Sequence, residues 1–211
     1  MFKIGDKRTV PLSPKGREVY TLIFVELIKK MVSQYGSDCR TQDASVLYGI
    51  CDPAPPLAKH IVYSPMPECT LQHLVDSYKR TIPNELLLLY RTLNGADLFW
   101  TSTCIPKTNI HIPVCRLSIF GVPMSNSRDR VEPFNISIED LNRPHGTPAG
   151  WLKFGSFYKS DNLSNRYDLF VDTDSGCVYS VGHDIQECTI SETWTSIDNC
   201  LCNIFSALSE V

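Results

Sequence analysis

At 211 residues, with 43% hydrophobic and 20% charged residues, the chain has the make-up of one ordinary globular domain and not of a disordered one. Its net charge of −3 conceals a gradient: residues 160–211 set a single cation, Arg166, against nine Asp and Glu, which disfavours nucleic acid as a ligand there. Nine cysteines at irregular positions make no disulfide framework, and neither a leader peptide nor a bilayer-spanning run is expected, so the reading is a cytoplasmic protein with reduced thiols and no membrane contact.

The first predicted helix opens at Ser13-Pro14, carries Tyr20, Phe24, Leu27, Ile28, Met31 and Tyr35 at helical spacing, and stops at Gly36. Asp52-Pro53-Ala54-Pro55-Pro56 breaks the chain, and Val62-Tyr63 reads as extended. Thr70 is expected to cap a helix with Leu71, Leu74, Val75 and Tyr78 on one side. Pro83 starts a second helix, through Leu86, Leu89, Tyr90 and Leu93, which Asn94-Gly95 ends because glycine accepts a left-handed conformation.

The period then changes to that of strands, with runs at 97–100, 116–120, 151–157, 169–172 and 177–181. Asp174-Ser175-Gly176 reads as the turn between the last two. Residues 122–149 are proline-rich and loop-like, with one helical turn expected at 137–141. Thr189 with Glu192 has the form of a capping box for a final helix bearing Trp194, Ile197, Leu201, Ile204, Phe205 and Leu208. Trp151 and Trp194 are expected in the core. The predicted class is α+β: a helix pair, an antiparallel or mixed sheet and a C-terminal helix over residues 68–211, with residues 1–67 a helical extension packed on that domain.

The segments Ile82-Pro83-Asn84-Glu85, Leu89 to Gly95 and Leu98-Phe99 resemble the signature of the SUKH (Smi/Knr-type) superfamily. Ile119-Phe120-Gly121, Trp151 to Gly155, Leu169 to Asp172, Gly176 to Tyr179 and the Trp194 segment follow in that family's order, so the resemblance runs over about residues 68–209. It implies a binding scaffold without a shared catalytic motif. Members are often immunity proteins that neutralise a polymorphic toxin, frequently a nuclease, by direct contact; eukaryotic relatives are regulatory adaptors.

The residues themselves predict no catalytic group, metal site or cofactor. Asp172 to Gly176 resembles the start of a calcium loop but has Gly176 and His183 where the loop needs oxygen ligands. Cys200 and Cys202 diverge on a helix, and no nucleophile elbow or phosphate loop is present. The expected site is an acidic face: Asp161, Asp168, Asp172, Asp174, Asp184 and Glu187 on loops and outward sheet positions, imitating a phosphate backbone towards a basic toxin domain, with Phe157, Tyr158 and Tyr167 as aromatic anchors.

Overall fold

A computed structural model describes residues 22–34, 39–40, 45–48, 59–78, 81–105, 108, 110–121, 146–159, 166–182 and 188–210. The described residues form, in chain order, α1 (Ile23–Val32), β1 (Cys39–Arg40), β2 (Ser45–Tyr48), β3 (His60–Tyr63), α2 (Glu68–Ser77), α3 (Asn84–Thr92), β4 (Ala96–Ile105), β5 (Ile110–Ile119), β6 (Trp151–Tyr158), β7 (Arg166–Asp172), β8 (Val178–Gly182), β9 (Ile190–Trp194) and α4 (Ile197–Ser209). The strands make one sheet in sequence order, every neighbouring pair antiparallel. The class is mixed α+β.

The chain departs from the expected division at residue 67. Residues 39–63 supply three strands that continue the sheet through β3–β4 pairing, so this stretch is more than a helical extension. Leu22, Phe24, Val25 and Ile28 share one core with Leu86, Leu117, Phe154, Leu201 and Phe205. The start expected at Ser13-Pro14, the stop at Gly36, the break at 52–56 and the helical turn at 137–141 lie outside the described residues.

Two helix starts also differ from expectation, each for a physical reason. Thr189 and Glu192 do not cap a helix: residues 190–194 are drawn out as β9 along β8, and the helix begins after Ser196, whose Oγ accepts the Asn199 N–H at 3.1 Å. Sheet pairing there outweighs the local capping pattern. Helix α2 starts at Glu68, ahead of Thr70, because Pro67 already fixes the entry. Helix α3 does start at Pro83, which is its N-cap, and Gly95 follows it at φ 93°.

Carboxylates link the helices in a relay. Glu85, in the first turn of α3, accepts the Ile197 and Asp198 N–H groups of α4 at 2.9 and 3.0 Å. Asp198, in the first turn of α4, in turn accepts the Ile23 and Phe24 N–H groups of α1 at 3.1 and 2.8 Å. Each anion satisfies orphan donors and meets the positive end of a helix dipole. Residues far apart in sequence are thereby fastened end to end.

Glycine is required where the helix pair leaves for the sheet. A Cβ on Gly95 would stand 2.5 Å from the Ile119 carbonyl oxygen, and one on Gly121 would collide with the Asn94 backbone. Asn94-Gly95 and Ile119-Phe120-Gly121 thus lie against each other, backbone to backbone.

Candidate functional site

The two faces of the sheet differ in chemistry. Leu98, Leu117, Ile119, Phe157 and Leu169 face the helices and join the main core. The residues alternating with them form a polar row across four strands: Asp97 opposite Ser118, Ser118 opposite Ser156, and Ser156 opposite Asp168. All four are buried.

At one end of the row, Asp97 Oδ2 accepts the Tyr63 hydroxyl at 2.7 Å, and Cys115 Sγ stands 3.9 Å from Oδ1. Burial raises the Asp97 pKa above the usual carboxylate value, while hydrogen bonds from Tyr63, Ser118 and Cys115 pull it the other way. At the other end, Lys153 Nζ lies 2.9 Å from Asp168 Oδ2, and Arg166 Nε lies 3.8 Å from Oδ1. Lys153 also stands 5.7 Å from the centre of the Phe120 ring.

Strand alternation in β4 is inverted at Phe99. Its φ of 58° is strained for a bulky L-residue. The inversion sends both Leu98 and Phe99 towards the helices and turns Trp100 to the polar face. The opposite strand answers: Arg116 and Leu117 lie on the helix side, Cys115 and Ser118 on the polar side. Phe99 is held by ring contacts to His60 and Phe205, with centroids 5.0 and 5.3 Å away, and by its N–H donating to His60 Nδ1 at 3.2 Å. Burial lowers the His60 pKa to about 4, helped by the Lys59 charge, so the imidazole is neutral and its Nδ1 is an acceptor.

Two clefts lie on opposite sides of the sheet. The first, about 370 Å3, opens on the polar face among Trp100, Ser118, Phe120, Ser156, Tyr158 and Arg166. The second, about 360 Å3, lies between α4 and the sheet, with Phe157, Trp194, Ile204 and Leu208 as its apolar wall and Arg116, Lys159 and Glu192 as its charged rim. Lys159 pairs with Glu192, and its ammonium stands 4.9 Å from the centre of the Tyr167 ring. Strand β6 ends between the clefts, its Phe157 lining one and its Tyr158 the other.

Among the described residues, one member of the expected acidic face, Asp168, is turned inward. Asp168 is 1% exposed and ion-paired, so it presents no charge to a partner; its β7 neighbours Tyr167 and Leu169 face the helices and leave it on the buried polar side. Asp172 is half-buried and accepts the Asp174 N–H at 3.0 Å and the Ser175 hydroxyl at 2.6 Å; the Ser175 bond holds its pKa below the usual range. Asp174 is exposed at the tip of that turn, which closes at Gly176 with φ 75°. Asp161, Asp184 and Glu187 lie outside the described residues.

Of the expected anchors, Phe157 is 4% exposed and stacked on half-buried Tyr167 at 5.4 Å, and Tyr158 is half-buried. Trp151 and Trp194 are buried as expected, Trp151 stacked on Tyr179 at 4.2 Å on the polar face. Cys200 is buried, whereas Cys69 and Cys104 are exposed. Among the described residues, no three metal-ligating side chains gather and no helix is long and apolar enough to cross a membrane.

Sequence reasoning missed Arg116, Lys153, Lys159 and Arg166. A signal was present: Lys153 interrupts the apolar run Trp151 to Phe154, and a lysine there needs a buried anion. The chain matches no family model, no curated protein and no solved structure.

Proposed function

We propose that this chain is a non-enzymatic protein-binding domain of the SUKH type, acting as an immunity protein that occupies a toxin domain. One observation carries the binding reading: the cleft between α4 and the sheet joins an apolar wall of Phe157, Trp194, Ile204 and Leu208 to a charged rim of Arg116, Lys159 and Glu192. An aromatic pocket ringed by charge is the arrangement in which a partner's apolar anchor is desolvated and oriented. The packing of Asn94-Gly95 against Ile119-Phe120-Gly121 supports the family reading, since two motif pieces meet where a side chain would not fit. With Asp168 turned inward, charge selects a basic partner less strongly than the sequence suggests; of the expected carboxylates that are described, Asp174 is exposed at its turn and Asp172 half-buried beside it.

The test is a calorimetric titration of the chain with a polymorphic-toxin domain encoded beside its gene. Ala207→Arg, at an exposed position on the cleft, is expected to weaken binding at least about tenfold. The double variant Asp172→Lys/Asp174→Lys is expected to reduce protection against the toxin without unfolding the chain. Unchanged affinity in Ala207→Arg removes the α4 cleft as the contact. Absence of binding and protection by the native chain retires the immunity reading.

A further inference from the structure

The cleft on the polar face has a different chemistry from the protein-docking surface proposed above, and it opens on the opposite side of the sheet. Its floor includes the cross-strand pair Ser118 and Ser156, and Trp100, Phe120 and Tyr158 supply aromatic surface around it. Arg166 is the single charged residue among its described lining residues. A volume of about 370 Å3 suits a small organic ligand.

The charge arrangement selects the sign of that ligand. Of the two carboxylates in the row, Asp97 is met by Tyr63, Ser118 and Cys115 and does not line the cleft. Asp168 is drawn to Lys153 at 2.9 Å and lies only 3.8 Å from Arg166, whose buried Nε makes no hydrogen bond. One anion therefore serves two cations, and the cation facing the cleft is the less well matched. Two cations beside one carboxylate leave a net positive charge at the cleft, which favours an anionic ligand, and a carboxylate fits the planar fork of the Arg166 guanidinium that lines it.

We propose that this cleft binds a small aromatic carboxylate, its ring among Trp100, Phe120 and Tyr158 and its anion on Arg166, with the Ser118 and Ser156 hydroxyls beside it. The site is independent of the protein-binding reading and survives that reading's failure.

Three isosteric probes test it on the intact chain: benzoate, neutral benzamide and cationic benzamidine, titrated while tryptophan fluorescence and the backbone amide resonances of Ser118 and Ser156 are followed. Benzoate is expected to saturate the site, with benzamide about tenfold weaker and benzamidine not binding. Arg166→Gln is expected to bring benzoate down to the benzamide level, while Ala207→Arg, in the other cleft, leaves it unchanged. Equal affinity for benzoate and benzamide, full benzoate affinity in Arg166→Gln, or no saturable binding of benzoate would each overturn the proposal. Should Arg166→Gln not fold, the ranking of the three probes on the native chain decides alone.

Discussion

Asp97 and Asp168 stand at the two ends of one polar row, 3% and 1% exposed, yet they are held by opposite means. Neutral donors surround Asp97, and burial eases its protonation. Asp168 has a lysine brought to it across the strand pair, with Arg166 behind. Equal burial is therefore met by different partners. A carboxylate in a dry sheet face needs partners in place of water, and the fold supplies dipoles at one end of the row and cations at the other.

The sharpest way to break this contrast is at Lys153–Asp168. Asp168→Asn leaves an ammonium buried without its anion and is expected to destabilise the fold by about 3–5 kcal/mol, read from the denaturant midpoint. Lys153→Met/Asp168→Leu, which removes the closely paired charges and leaves only the part-exposed Arg166 without its anion, is expected to recover part of that loss. If the pair substitution is no milder than Asp168→Asn, the stability does not reside in matched charge. Tyr63→Phe tests the other end with a smaller effect. Deleting one of several donors to Asp97 is expected to cost about 1–2 kcal/mol by the same measurement, and a neutral result would show that the Tyr63 bond at 2.7 Å adds nothing net.

The smallest effect is the pH dependence. Because the folded pKa of Asp97 is raised above its ordinary 3.8, its contribution is fully present below about 3.8 and is lost as pH rises through the folded value. Relative to Asp97→Asn, which does not titrate there, the native chain should lose stability over that rise. A stability difference that stays flat with pH defeats the assignment.

Much of the sheet was legible. The runs at 97–100, 151–157 and 169–172 fall in strands, and those at 116–120 and 177–181 do so except for Phe120 and Cys177 at their ends, because alternating apolar residues mark a sheet with one face on a core. Their lengths were not: β4 runs on to Ile105 and β5 starts at Ile110, through Thr101, Ser102, Thr103 and Pro113, which carry little apolar signal at the exposed end of a hairpin. β9 was hidden by a sequence that also satisfies a capping pattern, and the choice was made by β8 lying alongside. The candidate site was least legible. Charge counted along the chain treats each Asp as a surface group, whereas Asp168 belongs to Lys153 and Asp198 to the backbone of α1, residues brought near only by folding. The inversion at Phe99, which aims Trp100 and Arg116 into their clefts, leaves no trace in composition or period.

The row Asp97–Ser118–Ser156–Asp168 also acts as an alignment mark for the meander. If any of these strands slid by one position, it would drive its polar member among the helix-side leucines and phenylalanines. A slide by two keeps the faces but carries the Lys153 and Asp168 backbones about 7 Å out of step, stranding both charges in a dry layer. Mispaired hairpins thus announce themselves energetically, and a nine-strand ladder built wholly from neighbours in sequence needs such a mark to settle on a single arrangement.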